Sequence, residues 1–296
     1  MSSRLHVATT AIVAAAMLVG CGSSSNSSAT SAPGGGSKAI ILATTTSVED
    51  SGLLDQLVPE FQRQSGYTVK TVAVGSGQAL AMADRGEADV VIAHDPETEK
   101  QLVNTGKATQ SVLMHNDFVV IGPSSDPAGI KQATTAADAL KRISEKEAPF
   151  ISRGDKSGTN SFELKQWKTA NITPSGSWYQ ESGQGMGQTI NIASQKQAYT
   201  IADRATYLAT KDSSGLAILY QGTPDMLNVY DVLPVTAKAG SRVNVSGGEA
   251  FAEFMLSPAV QKEIGEFGKA KYGIALFDPD AGQTALQIEQ ELATAG

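Results

Sequence analysis

The sequence predicts an α/β protein built as two lobes, and three observations carry the prediction. From Lys38 onward, short apolar runs alternate with helix-spaced segments, the pattern of a parallel sheet with helices on its faces. The alternation breaks at the turn-rich Ser124-Ser125-Asp126-Pro127 and then begins a second time. A further apolar run at 229–235 offers a strand that crosses back.

In the first set, residues 39–43, 69–74 and 88–93 read as buried strands, and 48–64 and 78–85 as helices, the former with Pro59 as a kink. Residues 112–123 form an apolar strand that runs into the break. The second set comprises a helix at 135–146, a strand at 149–152, helices at 160–170, 187–195 and 200–210, and a strand at 215–220. After the returning strand, helices at 248–256 and 258–269 complete the chain. Two crossings, near 120–125 and 233–238, then join lobe I (38–123 and 236–296) to lobe II (124–235).

The first residues read as a leader. Arg4 precedes an apolar stretch over 7–19, too short for a membrane span with flanks, and Leu18-Val19-Gly20-Cys21 closes it with small residues. This resembles a bacterial lipoprotein signal, with an ordinary secretory peptide and an incidental cysteine as the alternative. The resemblance implies that residues 1–20 are removed, that Cys21 is lipidated, and that the protein is extracytoplasmic and anchored to the cell membrane. Residues 22–37 are nearly all Ser, Gly, Asn, Ala, Thr and Pro, a flexible tether with a reach of roughly 20–25 Å.

Composition is that of an ordinary soluble protein, 41% hydrophobic and 18% charged over 296 residues. The net charge of −7, which loss of Arg4 would lower by one, excludes nucleic acid as the expected partner. An anionic ligand must therefore be held by a local site. With Cys21 spent, no cysteine remains for a disulfide, a thiolate metal site or a nucleophile.

Such a local site is suggested at Ser152-Arg153-Gly154-Asp155-Lys156-Ser157-Gly158-Thr159, where a strand turns into a helix. Open amides and the positive end of the helix dipole favour negative charge there. Arg153 adds a planar fork suited to two oxygens of one oxyanion. Asp155 would repel an anion, so it is expected to turn away and orient Arg153 or Lys156. Asn160 and Glu163 have capping-box spacing and read as structural.

Three other loops share the chemistry. Thr44-Thr45-Thr46-Ser47 leaves the first strand with four hydroxyls, which taken alone read first as a helix cap. Gly75-Ser76-Gly77-Gln78 lets a ligand approach the backbone, or is an ordinary tight turn. Gly183-Gln184-Gly185-Met186-Gly187-Gln188-Thr189 could close its amides at 186–188 over an anion, or be a flexible connection; its glycine spacing misses the dinucleotide fingerprint. Trp178-Tyr179 reads as core packing.

Catalysis is hard to staff. His94 and His115 lack metal-ligand spacing partners and read as structural or surface residues. A GxSxG elbow and a GxxxxGK[ST] loop are both missing. A hydrolase using Ser157 or Ser76 would lack a positioned base. No enzyme, no metal site and no cofactor is expected.

In order and spacing, Thr44 to Ser47, the strand Glu87-Ala88-Asp89-Val90-Val91-Ile92-Ala93-His94, the strand Asn116-Asp117-Phe118-Val119-Val120-Ile121-Gly122-Pro123, the Arg153 loop and Trp178-Tyr179 with Gly183 to Gly187 resemble the tungstate-binding proteins of bacterial ABC importers. The resemblance spans about residues 39–267 and implies a periplasmic-binding-protein type II clamshell with two hinge crossings. It also implies a tungstate ligand held by Thr45, Thr46, Ser47, Ser76, Arg153 and Thr159, with Ser157 and the turn Met186, Gly187 and Gln188 as helpers. The implied partners are an ABC permease and its ATPase. Asn160 departs from the pattern, since His is expected there in many relatives.

Tungstate and molybdate carry no proton at neutral pH and call for donors only, whereas phosphate keeps a proton and benefits from a carboxylate acceptor. A molybdate- or phosphate-binding protein of the same fold is therefore the alternative, and phosphate gains if Asp155 points into the cleft.

Overall fold

The computed structural model describes residues 38–222 and 224–295, so the expected leader, Cys21 and the tether lie outside the described residues. The chain begins with β1 (Ala39–Thr45), α1 (Thr46–Ser51), α2 (Leu53–Ser65), β2 (Thr68–Val74), α3 (Ser76–Asp84), β3 (Val90–Ala93) and α4 (Pro96–Asn104). The long strand β4 (Ser111–Gly122) follows, then α5 (Ala136–Glu145), β5 (Phe150–Ser152), α6 (Gly158–Thr169), β6 (Tyr179–Glu181), α7 (Met186–Lys196), β7 (Thr200–Asp203), α8 (Arg204–Ser214) and β8 (Ala217–Tyr220). The last elements are β9 (Leu227–Pro234), α9 (Val245–Leu256), α10 (Pro258–Glu266), α11 (Lys269–Tyr272), β10 (Asp278–Pro279) and α12 (Ala285–Ala295). No helix among the described residues is long and apolar enough to cross a membrane.

The first sheet is mixed rather than parallel. β1 pairs in parallel with β2 and β3, but β9 runs antiparallel to both β3 and β4. Side chains alternate across it as a strand period demands. Ile40, Leu42, Val90, Ile92 and Val232 face the side covered by α2, α9 and α10, whereas Ala43, Val91, Ala93 and Leu233 face α3.

β4 joins the two halves. Its first part, to Asp117, pairs with β9 and β10, and from Phe118 onward it pairs with β7 and β8. Phe118 and Val120 point into a core with Phe150, Trp167 and Tyr199, while Val119 and Ile121 point into another with Ile151, Met186 and Ile190. Trp178 and Tyr179 pack edge-on against Trp167, as expected of core aromatics.

Several expected boundaries shift, each for a local reason. The helix expected over 48–64 is two helices, because Gly52 adopts a left-handed φ of 83°, caps α1 through its N–H on the Glu49 carbonyl and opens α2. Residues 200–203, expected to be helical, form β7 against β4, and Asp203 then caps α8 by accepting from Thr206 N. The return crossing lies between Tyr220 and Leu227, not near 233–238, because β9 buries both faces in the first sheet's cores. α4, β6, α11, β10 and α12 are not among the elements expected from the sequence.

Candidate functional site

The carboxyl ends of β1, β2, β3 and β5 meet, and each presents the first turn of a helix or a capped loop. Thr45 closes β1 and caps α1, its Oγ1 accepting from Val48 N at 3.3 Å. Next to it, Thr46 reaches across to the second half of the molecule. Its Oγ1 lies 3.4 Å from both Arg153 Nη2 and the Met186 amide. One hydroxyl of the first lobe thus meets a guanidinium and a helix N-terminus of the second.

Arg153 is 2% exposed and tightly oriented. Its Nε donates to the Gln184 carbonyl at 2.8 Å and its Nη2 to Asp155, while no hydrogen bond engages Nη1 among the described residues. Asp155 therefore orients Arg153, one of the two roles expected of it, and its second oxygen accepts the Ser157 N–H at 3.1 Å. Lys156 is exposed and left-handed, with φ 60°.

The capping expectation in this loop is corrected. Ser157, not Asn160, caps α6 and accepts from Asn160 N at 3.2 Å, while Asn160 Oδ1 accepts from Lys156 N. Glu163 is buried away from the helix start and accepts from Ser152 Oγ, Trp167 Nε1 and Tyr179 Oη. Burial raises its pKa against these three bonds.

The remaining expected residues separate into spent and unspent groups. Ser76 Oγ accepts from His94 N at 3.4 Å. Among the described residues, Thr159, 1% exposed, has no partner for its Oγ1, and the Oγ1 of Thr44 is likewise buried and unpaired. A buried unpaired hydroxyl is costly, which sets these two apart from the hydroxyls already bonded. Gly187 N donates to Asp50 Oδ2 at 3.2 Å, and Gln188 is exposed.

Asp50 was not anticipated. It joins Asp155 and Asp203 around the Arg153 charge; burial raises the pKa of Asp50, and the Gly187 bond and Arg153 only partly offset this. Burial likewise raises Asp203 against its Thr206 bonds and Arg153. Also unforeseen is a buried polar chain behind the loop at 44–47, built from Tyr230, Asn228, Asn116 and His94. Burial pushes the His94 imidazole down to about 4, so it is neutral at pH 7.

The two halves approach closely enough that glycine is required. A Cβ at Gly77 would lie 2.8 Å from the Lys156 carbonyl oxygen, and one at Gly158 would lie 2.5 Å from the His94 carbonyl oxygen. A cavity of about 1890 Å³ borders these contacts, lined by His94, Gly158, Phe118, Phe162 and Asp231 among others, and includes neither Arg153 nor Thr46.

Comparison with known proteins bears on this geometry. A PBP superfamily domain model matches residues 27–259. Over 240 residues the chain is 45% identical to the tungstate-binding protein TupA of Peptoclostridium acidaminophilum, covering 80% of this chain and 84% of the relative. Among solved structures, that of the tungstate ABC transporter from Geobacter sulfurreducens aligns with a TM-score of 0.69 at 43% identity, covering 76% of this chain and 96% of that one. The tungstate-binding protein TupA of Desulfovibrio alaskensis G20 aligns at 0.66 and 41% identity, covering 82% and 99%.

Proposed function

The chain belongs to the PBP superfamily and, within it, to the family of the tungstate-binding proteins, and from this membership we infer that it captures an oxyanion, tungstate foremost, outside the cytoplasm for delivery to an ABC importer. The observation that carries the reading is the convergence of Thr46 Oγ1, Arg153 Nη2 and the Met186 amide from opposite halves. Donors from both halves complete a shell only when the halves close, so an anion that bridges them favours the closed form.

In this reading the shell draws on Thr45, Thr46, Ser47, Ser76, Arg153, Ser157, Thr159 and the turn at Met186, Gly187 and Gln188. With the crossings moved from those expected near 120–125 and 233–238 to where β4 changes partners after Asp117 and where β9 begins, the moving bodies are residues 38–117 with 227–295, and residues 118–222. Anchoring through a lipid on Cys21 and docking on a permease with its ATPase belong to the same proposal.

A hydrolase reading gains no support. Among the described residues neither serine hydroxyl donates to an imidazole or a carboxylate: the bond at Ser157 Oγ comes from Asn160 N, that at Ser76 Oγ from His94 N, and the His94 ring Nδ1 is bonded to Asn228.

The test is calorimetry and thermal shift of the purified protein with tungstate, molybdate, sulfate, phosphate and chromate. An anion at a hundred times its Kd should stabilise by about 2.7 kcal/mol. Arg153→Ala should abolish the tungstate heat. It should also lower apo melting, because Arg153 is buried and holds both Gln184 and Asp155. Undiminished tungstate binding by the folded variant would refute the site.

A further inference from the structure

α7 begins without a cap of its own. The helices α4, α5, α6 and α8 are each capped by the side chain of the residue before them, Asp95, Thr135, Ser157 and Asp203. At the start of α7 that place belongs to Gly185, which has no side chain to offer. The first two amides of the helix are met from the other half of the molecule instead. Thr46 Oγ1 lies 3.4 Å from Met186 N, and Asp50 Oδ2 accepts from Gly187 N at 3.2 Å. Gly187 is the second residue of α7, and its amide is one that a capping side chain ordinarily takes.

Both sides of this contact are rigid. Thr46 and Asp50 stand four residues apart on α1 and so share one of its faces. α1 is fixed by the Thr45 cap, by Gly52 at its end and by Val48 in the core of the first half. α7 is fixed by Met186, Ile190 and Ala193 in a core of the second. The fit between them is close: a Cβ at Gly185 would lie 3.2 Å from Thr46 Cγ2, and one at Gly187 3.1 Å from Asp50 Oδ2. Asp50 is exposed, so its bond crosses the rim of the interface, whereas Arg153 lies buried within.

We propose that Asp50 is a latch between the two halves: it caps α7 from across the interface, holds the closed form together before any ligand arrives, and so tightens binding without touching the ligand. A cap that one half makes for a helix of the other exists only while the halves meet, and it therefore favours the closed form over the open one. The positive end of the α7 dipole adds to this preference, because the capping group is a carboxylate. Apparent affinity scales with the closed fraction, so the gain is passed to the ligand. That last step rests on the oxyanion reading above; the latch itself does not. It also narrows the shell, since the Gly187 amide goes to Asp50 rather than to the anion. Repulsion of a bound anion by the same carboxylate would act in the opposite sense, and the variants separate the two.

The test compares wild type, Asp50→Ala and Asp50→Asn by small-angle scattering of the ligand-free protein and by tungstate calorimetry, with circular dichroism as the folding control. Asp50→Ala should enlarge the ligand-free radius of gyration, and saturating tungstate should bring it back to the wild-type value. Its tungstate Kd should rise about three- to tenfold, the worth of one hydrogen bond. Asp50→Asn, whose amide oxygen can still accept from Gly187, should recover part of both changes. An unchanged radius of gyration in folded Asp50→Ala, or a tungstate Kd that stays constant or falls, would overturn the latch. Wild-type protein that binds no oxyanion sinks the functional reading instead, and the ligand-free scattering then decides the latch on its own.

Discussion

Arg153 and Asp155 form a buried ion pair, with Nη2 and Oδ2 at 2.5 Å, and the same carboxylate accepts the Ser157 N–H. The charge that would draw an anion is thus partly neutralised before any anion arrives. Asp155→Asn should shift that balance, because an amide oxygen can still accept from Ser157 while one negative charge is lost. Apo melting should fall, since a buried guanidinium loses its partner. Tungstate affinity should rise several-fold at low salt, and the gain should shrink as salt screens it. Calorimetry at two ionic strengths decides; weaker binding at both would mean that the carboxylate serves chiefly to aim Arg153.

Gly77 lies in the first turn of α3, on the first half, and the atom nearest its missing Cβ is the Lys156 carbonyl oxygen of the second half at 2.8 Å. Alanine should be welcome in the helix itself, worth up to about 1 kcal/mol over glycine. The closed approach has no such room. Gly77→Ala is therefore expected to keep or raise apo melting while weakening tungstate binding at least tenfold. A variant that binds as tightly as wild type would show that the halves need not come this near to hold the ligand.

The chemistry of single loops was easier to read than the contacts between them. β1 was legible because burial on both faces leaves a continuous apolar run, β4 because apolar residues flank His115-Asn116-Asp117 on both sides, and Arg153, Thr46 and Met186 because each sits at or just before the start of a helix. Gly52 escaped notice since helical spacing continues on both sides of it, and β7 since four residues before a helix carry too little pattern to separate from it. Asp50 meets Gly187 137 positions away, and Tyr230 meets Ser47 across 183. No local periodicity encodes such pairs. The hydroxyls of Thr45 and Ser157 kept two meanings to the end, because a residue that caps a helix also stands beside its anion-attracting terminus.

His115 ties the end of the chain to β4. Its Nδ1 lies 2.7 Å from Asp280 Oδ2 and its Nε2 3.7 Å from Asp278 Oδ2, beside the pairing of β10 with β4. Burial disfavours the charged imidazole, but the bond to Asp280 and the charges of Asp280, Asp278 and Asp117 outweigh it and raise the pKa. A folded-state pKa above the unfolded value, near 6.5, contributes stability that is complete below that value and is lost as pH rises through the folded one. His115→Gln should therefore cost most in acid. The melting difference between wild type and variant should be larger at about pH 5.5 than at about pH 9, and amides of the segment carrying β10 should exchange faster in the variant at the lower pH. A difference that stays constant or widens with rising pH would mean that the imidazole binds Asp280 in its neutral form, as a donor only.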